Sequence, residues 1–282
     1  MDLIFNELSV QPLAKDKADG FDRVNCFLET YKRANEKDYN KIRFETPNET
    51  GDILKGISIT SELTLADYRK IYMNDNSNKR YGQLLLGLPK RPYLDDDSEE
   101  ADRYILNTFL LEKEGKVVNP FGLASAYLLS TPAIGFCSEP FWEDCIFNLI
   151  IEGENKNIES VFCASKYVHF NDLIFNSWLE SFMFSTKNSV QLVKKIFSDY
   201  DFDSGAEHDI DFWKHDKLIL TRIVSLLKDI KINPFIGGLG KTESLIGRTD
   251  TYSKRIDDGN RLIYKVETNF KITIISCRGH YN

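Results

Sequence analysis

Glu243, Arg261 and His280 are the residues of this 282-residue chain from which a reaction is most readily built. They lie in a C-terminal stretch that also holds Lys241, Tyr252, Lys254, Arg255, Arg278 and Tyr281. A carboxylate, an imidazole and several cations converging on one sheet face suit cleavage of an RNA phosphodiester. One group must take the proton of the 2′-hydroxyl, another must protonate the leaving 5′-oxygen, and cations must hold the charge that builds on phosphorus. Arginine suits the last task because its planar fork matches phosphate oxygens. Cations supplied in this way remove the requirement for a metal, and the four histidines show no metal-ligand spacing. No cofactor is expected.

Three strands are expected to position these groups, over residues 251–256, 260–267 and 271–278. Asp257-Asp258-Gly259 and Thr268-Asn269 between them are hairpin signals. Alternation puts Arg261 and Ile263 on one face, Leu262 and Tyr264 on the other, and Arg278 on the same side as His280. Before the strands comes a Gly-rich connection, Gly237-Gly238-Leu239-Gly240-Lys241. A long helix over 209–231 precedes it, with Phe212, Ile219, Ile223, Leu226, Leu227 and Ile230 forming one apolar stripe. Asn233-Pro234 ends that helix. A strand over 190–197 and an acidic stretch over 199–209 open the unit.

Upstream, the pattern predicts strands over 3–10, 41–45, 134–137 and 161–164. It predicts helices over 20–37, 64–73, 123–129, 139–150 and 171–181, with an acidic loop over 95–102 leading into a helix through Leu111. The chain therefore reads as α+β throughout, with an N-terminal domain over 1–185 and a second over 186–282. Nothing in the first domain rises to a site. The spacing of Cys163 and His169 matches a thiol and its base, but isolated Cys and His in apolar surroundings are mostly structural. A regulatory or sensing role is the expectation for this domain.

Composition narrows the class. Hydrophobic residues make up 42% and charged residues 28%, which is ordinary for a soluble globular protein. No apolar run approaches the roughly 18 residues of a membrane span, and the N-terminus lacks the pattern of a signal peptide. Cys26, Cys137, Cys145, Cys163 and Cys277 form no C-x-x-C pair and read as reduced thiols of a cytoplasmic protein. Residues 231–282 hold 9 basic and 5 acidic side chains, against a net charge of −7 for the whole chain. Polyanion binding is therefore expected to be local to that last segment.

Several blocks of the C-terminal region resemble the YoeB/Txe toxins of the RelE/ParE superfamily. They are Arg222-Ile223 to Asp229, Pro234-Phe235-x-Gly, Gly240-Lys241-Thr242-Glu243-Ser244-Leu245, Tyr252-Ser253-Lys254-Arg255-Ile256, Asn260-Arg261-Leu262-Ile263-Tyr264 and Cys277-Arg278-Gly279-His280-Tyr281. The resemblance implies a RelE-like domain, a helical hairpin packed on a small, mainly antiparallel sheet. It implies a ribosome-dependent messenger RNA interferase, an endoribonuclease held in check by an antitoxin. Position by position, Glu243 matches the family's general base, His280 its general acid and Arg261 the arginine that stabilises the transition state. Tyr281 matches the tyrosine that orients the scissile RNA, and Lys241 and Arg255 match substrate-facing basic positions. Tyr252, Lys254 and Arg278 complete the expected RNA-binding set. Expected partners are messenger RNA, the ribosome, and either an antitoxin or the acidic N-terminal domain acting in cis; no membrane is expected.

The chain departs from the family pattern at Asn260, commonly His, at Thr242, commonly Pro, at Ile246, often basic, at Gly279 inside the terminal motif, and in Asn282 beyond the Tyr. These departures leave attenuated activity or altered codon choice open. A second reading is a non-catalytic module in which the toxin fold survives as an RNA-, ribosome- or partner-binding surface. Relatives that poison DNA topoisomerase lack the Glu/Arg/His set.

Overall fold

The computed structural model describes residues 2–45, 51–88, 93–94, 104, 106–153, 156–183 and 189–279. His280 and Tyr281 thus lie outside the described residues, as does the acidic stretch 95–102. The chain divides into two compact units, Met1–Phe175 and Asn176–Asn282. The sequence reading places a boundary later, between 185 and 186.

The first unit begins with β1 (Asp2–Phe5), a 3-10 turn (Glu7–Val10), α1 (Lys17–Asn35), β2 (Lys41–Arg43), α2 (Ile53–Gly56), α3 (Leu65–Asn74) and α4 (Lys79–Gly87). It continues with β3 (Thr108–Lys113), β4 (Lys116–Val118), α5 (Phe121–Leu128), β5 (Ala133–Ile134), β6 (Ile146–Glu152) and β7 (Lys156–Ala164). The division between units falls inside the next helix, α6 (Asp172–Met183). The strands form one sheet in the order β2-β1-β5-β7-β6-β3-β4. It is parallel from β2 to β7 and antiparallel from β7 to β4. Leu123, Ala126, Trp142, Phe147, Leu149 and Val161 belong to its buried core. Asp16 caps α1 by accepting from the Asp19 N–H, and Thr64 and Asp67 form a reciprocal capping box that starts α3.

Three expected elements differ here. The strand expected over 3–10 stops at Phe5 and gives way to the 3-10 turn. The helix expected through Leu111 is strand β3, which buries Phe109 and Leu111 on one side. The helix expected over 139–150 is a short 3-10 turn followed by β6. In β6 Phe147, Leu149 and Ile151 are buried alternately, the period of a strand half in the core.

The second unit continues with α7 (Ser189–Ile196), β8 (Tyr200–Phe202), α8 (Ser204–Trp213) and α9 (Lys217–Ile230), then β9 (Glu243–Ser244), β10 (Thr251–Arg255), β11 (Arg261–Val266) and β12 (Ile272–Ser276). Its sheet order is β8-β12-β11-β10-β9, antiparallel except where β8 joins β12. This is a helical pair with a small, mainly antiparallel sheet, as expected. Residues 190–197 were expected as a strand; 190–196 are helical and Phe197 begins the turn that follows. Val190, Val193, Ile196 and Phe197 recur at three- and four-residue steps, a helical period that the β-branched residues disguise. The expected long helix is two, because Asp216 turns its carboxylate back onto the N–H groups of Leu218 and Ile219 and opens α9 afresh. Leu220, Ile223, Leu226, Leu227 and Ile230 of α9 are fully buried, as are Leu262, Tyr264 and Ile274 of the sheet.

Candidate active site

Register assigns the side chains to faces. Glu243 lies opposite Ser253, Ser253 opposite Ile263, and Arg255 opposite Arg261. Residues opposite one another share a face and neighbours in a strand alternate, so Glu243, Ser253, Arg255 and Arg261 share one face. Tyr252, Lys254, Leu262 and Tyr264 occupy the other.

On the first face the carboxylate is clamped. Glu243 Oε2 stands 3.0 Å from Arg261 Nη1, and Oε1 stands 3.2 Å from Lys241 Nζ. The side chain of Arg261 is 8% exposed, that of Glu243 32% and that of Lys241 84%. One cation is therefore built into the sheet and the other reaches in from solvent. The Lys241 hydrogen bond holds the Glu243 carboxyl below its ordinary value; burial works against this, and the charges of Arg261, Lys241 and Arg255 add to it. At neutral pH Glu243 is an ionised acceptor between cations. Exposed Arg255 stands beside this group, directly across the ladder from Arg261.

The loop that carries Lys241 is tied down locally. Gly240 accepts a hydrogen bond from the Arg255 N–H at 2.7 Å, an approach so close that a Cβ at Gly240 would itself meet the Arg255 carbonyl at 2.7 Å. Gly240 also has φ +74, so both space and conformation require glycine. Thr242 donates its N–H and its hydroxyl to the Gly237 carbonyl, at 3.1 and 2.8 Å. A proline at this position has neither donor.

The other face explains Lys254. Its side chain is fully buried, 2.6 Å from Asp229 Oδ2, and it also donates to the carbonyls of Gly237 and Leu239 at 3.2 and 3.3 Å. An ammonium has three donors, and these three acceptors use them all. Lys254 was expected to bind RNA; the structure turns it inward, where it holds α9 and the Gly-rich connection together. Tyr252 also lies on this face, stacked on Tyr264 at 5.8 Å and edge-on to Phe235 at 5.6 Å.

At the end of the chain, residues beyond β12 are held mainly by side chains. Asp209 Oδ2 accepts from the Cys277 N–H at 2.9 Å, and Trp213 Nε1 donates to the Cys277 carbonyl at 3.1 Å. The Arg278 guanidinium, exposed to solvent, lies 3.7 Å over the Phe212 ring. Asp209, Trp213 and Asn260 escaped the sequence-based site set. The signal for Asn260 was the hairpin itself, in which Asp257 Oδ1 accepts from the N–H groups of Gly259 and Asn260. Ser253 was missed as well. Its hydroxyl is buried beside Glu243 and has no hydrogen-bond partner among the described residues.

In the first unit, Cys163 and His169 do not form a pair. Cys163 takes a hydrogen bond from Asn6, and burial pushes its thiol up to about 12. His169 Nδ1 accepts from the Ser165 N–H. Among the described residues no three His, Cys, Asp or Glu side chains gather to hold a metal ion, and no helix is long and apolar enough to cross a membrane.

A family model described as "YoeB-like toxin of bacterial type II toxin-antitoxin system" matches residues 202–281. Toxin YoeB of Mycobacterium bovis (strain ATCC BAA-935 / AF2122/97) is 39% identical over 82 residues, 28% of this chain and 94% of that protein. Toxin YoeB of Escherichia coli (strain K12) is 36% identical over 91 residues, 32% of this chain and 100% of that protein. Among solved structures, the YoeB-YefM complex from Staphylococcus aureus is similar at 36% identity and a TM-score of 0.27, covering 29% of this chain and 95% of the matched one.

Proposed function

This chain belongs to the YoeB toxin family through its C-terminal region, and we propose that this region is a ribosome-dependent messenger RNA endonuclease working without a metal. The observation that carries the reading is the Glu243 carboxylate held between Arg261 and Lys241 on a partly open sheet face. In the proposed reaction Glu243 takes the proton of the 2′-hydroxyl, which attacks the adjacent phosphorus and leaves a cyclic phosphate. Arg261 stabilises the charge on the phosphoryl oxygens, His280 protonates the leaving 5′-oxygen and Tyr281 orients the scissile nucleotide. Lys241, Arg255 and Arg278 supply the electrostatic grip.

Ion pairing gives Glu243 two regimes. In the free site the cations hold its basicity down. A phosphodiester entering between them competes for Lys241 and Arg261, and the carboxylate that loses those partners becomes a stronger base. The substrate thereby raises the basicity of the group that deprotonates its 2′-hydroxyl.

The Staphylococcus aureus relative is solved with YefM, and an antitoxin of that kind is the proposed partner here. The acidic N-terminal unit is proposed as a restraint acting in cis. Mapping of RNA 5′ ends after brief induction, with and without intact ribosomes, tests the activity. Cleavage by the full chain that Glu243→Gln and His280→Ala each lower by about 10²–10⁴-fold supports the reading; undiminished cleavage by either variant overturns it. Residues 186–282 expressed alone test the restraint, which fails unless they are more toxic than the full chain.

A further inference from the structure

Two departures from the family pattern, Asn260 and Gly279, are bonded to each other. Asn260 Oδ1 accepts from the Gly279 N–H at 2.9 Å, and the Arg261 N–H donates to the Gly279 carbonyl at 3.0 Å. Both backbone groups of Gly279 are thus taken by consecutive residues at the start of β11. The Asn260 amide can face only one way. Its Nδ2 donates to both oxygens of Asp257, at 3.0 and 2.9 Å, which leaves Oδ1 for Gly279. Asp257 is itself held by the hairpin N–H groups of Gly259 and Asn260. Gly279 has φ +78 and nothing within 4 Å of a Cβ built there, so glycine is required by its backbone turn and not by crowding.

We propose that Asn260, oriented by Asp257, is a positioning residue that clasps Gly279 and sets the direction in which the chain enters His280. The clasp works with the contacts on the other side, where Asp209 and Trp213 hold Cys277. Between these anchors only Arg278 intervenes, and its guanidinium lies on Phe212. The backbone leading to His280 is therefore fixed from both sides past the last ladder pair of β12. Asn260 and Gly279 make one compensated pair: the asparagine supplies the acceptor, and the glycine supplies the turn that presents its N–H. The inference rests on the reading of His280 as the general acid, since a placed acid is what gives the clasp a catalytic consequence.

A double-mutant cycle on the full chain tests it, using single-turnover cleavage of ribosome-bound messenger RNA by wild type, Asn260→Ala, His280→Ala and the double variant. Asn260→Ala is expected to lower the cleavage rate by roughly ten- to a hundredfold with KM little changed, the scale of an approximately 1 Å misplacement. In the His280→Ala background the same change is expected to cost less than about twofold, because the residue it acts through is gone. Equal fold losses in both backgrounds overturn the proposal. Hydrogen exchange at the Gly279 amide provides a readout independent of catalysis. Faster exchange in Asn260→Ala, with Ile274 in β12 still protected, supports the clasp; an unchanged Gly279 rate overturns it. Wild-type cleavage by His280→Ala would instead remove the functional reading, and the exchange measurement would still decide the clasp.

Discussion

The two faces of the five-stranded sheet each set a basic side chain against a carboxylate, with opposite consequences. On the face of Tyr252 and Leu262, Lys254 is fully buried and its three donors are matched to Asp229, Gly237 and Leu239. On the face of Ser253 and Ile263, Glu243 is shared between one buried and one exposed cation and remains 32% exposed itself. Burial is the largest single influence on the Asp229 carboxyl and pushes it up, but hydrogen bonds from Lys254, the Leu239 N–H and Asn233, together with the Lys254 charge, outweigh it and leave the group below its ordinary value. A charge whose donors are saturated within the fold belongs to stability. A charge whose partner is shared and reachable can exchange it for a phosphate.

The largest effect that would break this division is catalytic. Glu243→Gln is expected to lower messenger RNA cleavage by about 10²–10⁴-fold while leaving the unfolding of the C-terminal unit unchanged in denaturant titration. A loss of stability matching the loss of activity would make Glu243 a structural residue like Asp229. Lys254→Met should do the reverse. It leaves Asp229 without its cation and should destabilise by about 3 kcal/mol, the lower end for a broken buried pair because Asp229 keeps part of its surface in water. Exchange of the β10 and β11 backbone amides reads this directly, and full protection in the variant would contradict the structural role.

Arg261→Lys sharpens the comparison on the open face. The charge survives but the planar fork does not, so cleavage should fall by roughly ten- to a hundredfold, mostly in kcat. A change confined to KM would reassign Arg261 to binding alone. The smallest effect concerns pH. The folded-state value of Glu243 is depressed, with Lys241 the first cause, so a base at this position fails only as pH falls through a point below the ordinary glutamate range. Removing Lys241 takes away the first cause of that depression in the free site, and the acid limb of the kcat/KM–pH profile, which reports the free enzyme, should move to higher pH in Lys241→Ala. A limb that stays in place or moves lower would show that Lys241 does not bear on Glu243.

Much of this unit was legible from the sequence. Alternating apolar residues and the Asp257-Asp258-Gly259 turn marked the meander and the convergence of Glu243 and Arg261 on one sheet face, but their ion pair was not readable, because the two-residue strand that carries Glu243 has no pattern of its own. Lys254 was misread because adjacent Lys254 and Arg255 point to opposite faces, and only the packed helix shows which face is covered. Residues 190–197 and 139–150 failed for complementary reasons. In the first, β-branched residues carry a helical period; in the second, an apolar run read as a helix holds Phe147, Leu149 and Ile151, which follow a strand period. The contacts of Asp209 and Trp213 with Cys277 join residues more than sixty positions apart in sequence. No local pattern encodes them.

Lys254 has one more effect, although it never meets solvent. By holding the Gly237 and Leu239 carbonyls it freezes a segment rich in glycine, the residue with the most backbone freedom in an unfolded chain. Ordering one backbone residue costs roughly 1–2 kcal/mol, and here that cost falls on the folding step, before any RNA arrives. On the proposed function, the segment leading to Lys241 would meet RNA already arranged, and an interior lysine would strengthen the grip of a surface one through entropy.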